Sequence, residues 1–186
     1  MFSASVATSP AAEARIWADS VRCQKGKDHM ALTVAAPSLE YVGTYDAKLK
    51  PPIQAGGPFG TRMIFEVLGG DFYGASGERG TLLTGGADWL LIGQDGWGRL
   101  DVRAQVQMSD GAILYVQYYG LIEMNDAVTA ALQNGRATNF DQQYFRTTPR
   151  FETSDPRYTW LQQGVFVGQG RIIGGPGVEY NIFRVK

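Results

Sequence analysis

A chain of 186 residues, 44% apolar and 19% charged, is long enough for one domain with a substantial core. A net charge of −1 gives nucleic acid and anionic membranes nothing to hold, and no 18-residue apolar run exists to span a bilayer. The single cysteine, Cys23, excludes an intrachain disulfide, and with one histidine, His29, it leaves no dedicated Cys/His metal site.

Residues 1–29 are rich in Ala and Ser, with a short helix indicated from Pro10 to Val21. They read as an N-terminal arm. The segment lacks the basic and apolar regions of a signal peptide, so a cytoplasmic location is expected. Residues 30–186 read as the folded domain. Met30–Ala36 and Leu39–Asp46 alternate like strands around Pro37. Lys48–Gly60 holds three prolines and three glycines and reads as a loop that could lid an opening. Thr61–Leu68 alternates again, and short strands around Phe72 and Leu82 follow among many glycines.

Gly85–Gly120 is the densest stretch. Ala87–Ile92, Trp97–Met108 and Ala112–Met124 form a meander joined by Asp95-Gly96 and Asp110-Gly111, a strong hairpin signal. Asn125–Asn134 reads as the clearest helix, with Asn125 able to cap it and Gly135 able to end it. Thr138–Thr153 resumes strand, broken at Pro149. Asp155–Leu161 suits one helical turn, and Val165–Ile173 and Val178–Val185 close the chain. The expected fold is all-β, a single antiparallel barrel with one short helix. A barrel of this strand number can hold a small ligand, as lipocalins do.

All but one of the candidate site residues read from the pattern fall on the meander. Asp88, beside Trp89 after a double glycine, is either a pocket carboxylate raised in pKa by burial or a turn residue accepting backbone N–H bonds. Asp101 and Arg103 share one strand face. They are either a structural salt bridge or a pocket pair in which Arg103 stabilises a developing oxyanion. Tyr115 and Tyr119 share a face and Tyr118 takes the other, so at least one tyrosine is expected to line the interior. Glu152 is either a pocket acid or a solvated residue before a turn. The glycine-rich IIGGPGVEY is a hairpin turn, since it lacks the lysine and following helix of a phosphate loop.

The segments GGADW (85–89), QDGWGRLDVR (94–103), SDGAILYVQYYG (109–120), YFRTTPRFET (144–153) and YTWL (158–161) together resemble one family. Its members are small bacterial and fungal proteins labelled as a domain of unknown function, with lipocalin-like barrels. The resemblance runs from about Leu32 to Lys186. It implies a calycin-like barrel with an internal pocket, and its few characterised members include cyclases that add a phenol across an alkene. On this resemblance Arg146 and Trp160, with Trp89 and the three tyrosines, join the substrate-binding candidates. Asp88, Asp101, Arg103 and Glu152 are the catalytic ones.

The functional expectation is a cofactor-independent enzyme. It would isomerise or cyclise an aromatic, phenolic or enone-type substrate by moving protons, with no metal and no covalent nucleophile. A non-catalytic carrier of an apolar ligand is the alternative, and an interaction module with a filled interior is a third. The expected partner is a small molecule, with neither nucleic acid nor membrane, and a homodimer is left open.

Overall fold

The computed structural model describes residues 35–186. The arm at 1–29 and most of the strand expected at Met30–Ala36 lie outside these residues, and Ala35 and Ala36 carry no strand. Ten strands follow: β1 (Leu39–Leu49), β2 (Ile53–Gln54), β3 (Thr61–Gly74), β4 (Arg79–Leu82), β5 (Ala87–Ile92), β6 (Trp97–Met108), β7 (Ile113–Glu123), β8 (Phe145–Glu152), β9 (Phe166–Ile173) and β10 (Gly177–Val185). Helix α1 (Asp126–Asn134) joins β7 to β8, and a 3-10 helix (Pro156–Gln163) joins β8 to β9.

Every pairing is antiparallel, and the sheet closes on itself because β1 pairs both β10 and β3. The barrel has eight staves: β1, β3, the β4–β5 position, β6, β7, β8, β9 and β10. β4 and β5 lie end to end between β3 and β6, each covering half of both neighbours. β2 is an added two-residue strand on the edge of β3, inside the segment expected to be loop.

The tight turns follow the sequence. Gly96 and Gly111 hold φ of 76° and 90°, and Asp95 and Asp110 accept hydrogen bonds from the N–H two residues on. Asn125 caps α1 by accepting from Val128 N at 3.1 Å, and Gly135 ends it in the left-handed region at φ 62°, ψ 27°.

Three expectations need correction. β3 runs unbroken through Gly69–Gly70 to Gly74, so one long strand replaces two short ones. β8 runs through Pro149, which faces Tyr118 of β7. β9 reaches β8 only at Arg146 and Thr147, so Pro149 sits where one side of the strand needs no donor. Thr138–Tyr144, expected as strand, is irregular chain tied down by Ile172 N donating to Thr138 Oγ1 at 3.1 Å.

Closure decides the faces. Leu100, Val102, Ala104 and Val106 of β6 point inward and are buried, with Phe65, Val67, Leu114, Val116, Tyr118 and Ile182 from neighbouring staves. The bulky interior fits because glycines face it: a Cβ on Gly170 would lie 2.8 Å from both Phe145 and Tyr180. Inside, a layer of Tyr45, Tyr118, Leu82 and Ala104 divides two chambers of about 320 and 300 Å³.

Candidate functional site

Among the described residues, Asp88 is the one carboxylate lining the larger chamber. It lies in an inward-facing row with Phe65 on β3 and Val102 on β6, and Val102 in turn faces Tyr118 on β7. The β5–β6 ladder lapses at Trp89 and Leu90, which have no register partner in β6. There the Asp101 N–H donates instead to Asp88 Oδ1 at 3.2 Å, and the Trp89 carbonyl accepts from the Arg62 guanidinium.

Asp88 is half-buried and lines the chamber. Burial pushes its pKa up to about 7, helped by the nearby Asp101 charge and opposed by the Asp101 N–H and by Arg62. A lone N–H bond leaves most acceptor sites of the carboxylate free.

Among the described residues, the other polar side chains lining the chamber are three phenols. Tyr45 and Tyr180 are direct cross-strand partners, with ring centroids 5.0 Å apart, and Tyr118 meets Tyr180 edge-on at 5.6 Å. Burial holds all three pKa values well above that of a free phenol, and the Asp88 charge adds to each rise. They therefore remain neutral donors at any physiological pH. The phenol oxygens are near enough to shift one another's ionisation. Among the described residues, however, the buried Tyr45 oxygen has no partner at hydrogen-bonding geometry. The walls are apolar, from Phe65, Leu90, Leu100, Val102, Ile122 and Phe145. Pro51 and Pro52 of the β1–β2 connection and Ala131 and Leu132 of α1 also line the chamber.

The other candidates sit elsewhere. Asp101 and Arg103 point outward and pair at 2.9 Å, each about a third exposed, and Arg103 lies over the Trp89 ring at 5.5 Å. The geometry is that of the structural salt bridge. An interior position is closed to them because their neighbours Leu100, Val102 and Ala104 fill the core. Tyr115, Tyr119 and Glu152 are on the outer wall, where Glu152 faces Tyr115 across β7–β8 and Tyr119 is 55% exposed. Arg146 also points outward, donating to the carbonyl of its neighbour Phe145 and lying over Tyr144. Trp160, on the 3-10 helix, lines the second chamber. The larger chamber thus gathers Asp88 and Tyr118 from the sequence candidates, and adds Tyr45 and Tyr180. Their signal in the sequence is a tyrosine in the apolar register of each terminal strand, VGTYDA and GVEYNI. Among the described residues no three His, Cys, Asp or Glu side chains converge.

A UPF0311 protein of Rhodopseudomonas palustris is 36% identical to this chain over 135 residues, 71% of the chain and 88% of the relative. The crystal structure of a protein of unknown function from the same organism superposes with a TM-score of 0.73 at 30% identity, covering 82% of this chain and all of that one. A beta-barrel like protein of Acinetobacter baumannii superposes at 0.68 with 30% identity, covering 83% and 99%. An enzyme from Penicillium herquei shares the fold at a TM-score of 0.60 with 20% identity, covering 84% and 100%. The model of the family described as "Protein of unknown function (DUF3237)" matches residues 37–185, nearly the whole barrel, and the chain belongs to that family.

Proposed function

We propose that the chain is an enzyme whose Asp88 moves protons on an aromatic, phenolic or enone-type substrate held in the larger chamber. One observation carries the reading: a carboxyl with a pKa of about 7 lines an apolar chamber whose only other polar side chains, among the described residues, are neutral phenols. General acid–base work is most effective when the group's pKa lies near the working pH. That a barrel of this fold from Penicillium herquei is an enzyme agrees with it.

The chemistry balances without a co-reactant. As carboxylate, Asp88 takes the proton of a substrate phenol. The phenol oxygen bonds to one carbon of an alkene in the same molecule, and the other alkene carbon accepts the proton from the Asp88 carboxylic acid. One C–O bond replaces one C=C π bond, and substrate and product are isomers. For an enone, the same carboxylate would move a proton from the carbon α to the carbonyl to the γ carbon. In both cases negative charge gathers on an oxygen. The phenols of Tyr45, Tyr118 and Tyr180 are the donors placed to receive it, a role expected at first of Arg103. The free hydroxyl of Tyr45 needs no bond broken first.

The test uses 2-allylphenol and a β,γ-unsaturated ketone as probes, with wild type and Asp88→Asn. Wild type should convert at least one, with kcat/KM rising toward a plateau above an apparent pKa near 7. Asn cannot accept the proton and should lose ~10²- to 10⁴-fold in kcat. Conversion unaffected by Asp88→Asn would refute the assignment. Tight binding of both probes by both proteins, without conversion, would leave a carrier.

A further inference from the structure

The second chamber, about 300 Å³, fills the other half of the barrel and shares with the first only the dividing residues Tyr45, Leu82, Ala104 and Tyr118. Its body is apolar, lined by Val106, Leu114, Val116, Phe151 and Ile182. Its rim carries charge, and almost every charge there is accounted for. Glu40 and Lys186 pair with each other at 2.6 Å. The Glu78 carboxylate accepts from the Ser76 N–H of its own turn at 3.1 Å. Tyr158 donates to Asp110 at 2.7 Å.

Arg184 is the exception. It lies in the inward register of β10, two residues beyond the buried Ile182, and lines the chamber. Its cross-strand neighbours are Glu40, which Lys186 engages, and Phe166. The guanidinium carbon stands 5.8 Å from the centroid of the Trp160 ring, and Trp160 in turn leans on Phe166. Among the described residues Arg184 takes part in no ion pair and no side-chain hydrogen bond, whereas Arg99, Arg103, Arg157 and Arg171 each hold a carboxylate. An aromatic face restrains the cation and leaves its donor fork open.

We infer that the second chamber is a binding site for an amphipathic monocarboxylate, with the carboxylate on the Arg184 fork and the apolar body among Val106, Leu114 and Val116. The fork matches a planar carboxylate with two parallel hydrogen bonds. Glu78 on the same rim disfavours a second negative charge. The chamber volume lies at the small end of ligand pockets, which suits a medium-length chain or a single ring system. This site stands independently of the Asp88 reading.

Isothermal titration of the full chain with decanoate, decanol and decyltrimethylammonium tests it. Decanoate should bind one-to-one and more tightly than either of the others. Arg184→Met should weaken decanoate about 10- to 100-fold, the scale of a lost charge-assisted hydrogen bond, and leave decanol unchanged. Asp88→Asn should leave decanoate binding intact, so this site can fail while the acid–base site stands, and the reverse. A folded Leu114→Phe variant, which narrows the chamber but keeps Arg184, should weaken decanoate and decanol alike. Equal binding of the cationic probe, or undiminished decanoate binding in Arg184→Met, would overturn the assignment. So would decanoate binding lost in Asp88→Asn but kept in Arg184→Met.

Discussion

Asp88 and Asp155 are the same chemical group in opposite surroundings. Asp155, half-buried at the start of the 3-10 helix, accepts from the Arg157 guanidinium and the Arg157 N–H, and its pKa falls to about 2. Asp88, walled by apolar side chains with one N–H for company, rises to about 7. Burial lifts the one, and the hydrogen bonds from Arg157 lower the other. The same comparison governs Arg103. Its partner Asp101 is close but the pair is a third exposed, where ion pairs contribute little. Arg103→Met should therefore lower stability by less than about 1 kcal/mol and leave turnover within about twofold of wild type. Urea melts and steady-state rates on the one variant check both. A large loss of kcat with an unchanged midpoint would return Arg103 to the reaction.

At the scale of elements, hairpins and helix ends were legible because their causes are local. An Asp-Gly turn needs only its own φ, and Asn125 reaches an N–H three residues away. Asn125→Ala should cost about 1 kcal/mol in thermal or urea unfolding. Gly86 should cost more. It holds φ +76° just ahead of β5, and a Cβ there would lie 2.2 Å from the Arg103 carbonyl oxygen. Gly86→Ala combines backbone strain with a clash, each of order 1–3 kcal/mol. Because β5 starts one residue later, the substitution should also move Asp88 and shift the pH dependence of any turnover. A Gly86→Ala protein as stable as Asn125→Ala would show that the strand start adapts freely. The strand expected across Thr138–Tyr144 and the break expected at Pro149 failed for one reason. A strand's extent depends on whether a neighbour lies alongside, which the strand's own residues do not say.

For the whole molecule, the buried carboxyl couples stability to pH. Unfolded, Asp88 has a pKa near 3.9; folded, it titrates at about 7. Below the lower value both states are protonated and the burial costs nothing ionic. Between the two, the unfolded chain ionises while the folded one stays protonated, so stability is lost as pH rises, and the loss is complete above about pH 7. Relative to Asp88→Asn, wild type should lose up to about 4 kcal/mol between pH 4 and pH 7, and little more by pH 9. Chemical melts of both proteins across that range measure the difference and cancel the carboxylates they share. A flat difference would mean that Asp88 is solvated in the folded state.

The amino-acid sequence by itself determined the class of fold, the meander and its turns, the capped helix and a list of candidate polar residues, of which Asp88 and Tyr118 line the larger chamber. Alternation and turn propensity act over a few residues, and they suffice for that much. It also separated Tyr118 from Tyr115 and Tyr119 by strand parity. Parity sorts residues into two faces without saying which face is the inside. Closure of β1 onto β3 and β10 decided that. It turned Leu100, Val102, Ala104 and Val106 to the core and so sent Asp101 and Arg103 out. It set Asp88 in one row with Val102 and Tyr118, and made partners of Tyr45 and Tyr180 from opposite ends of the barrel sequence. Only contacts between residues far apart in the chain could create the apolar chamber that lifts the Asp88 pKa. The chemistry proposed for this protein therefore rests on the tertiary structure, even though its central residue was in view from the start.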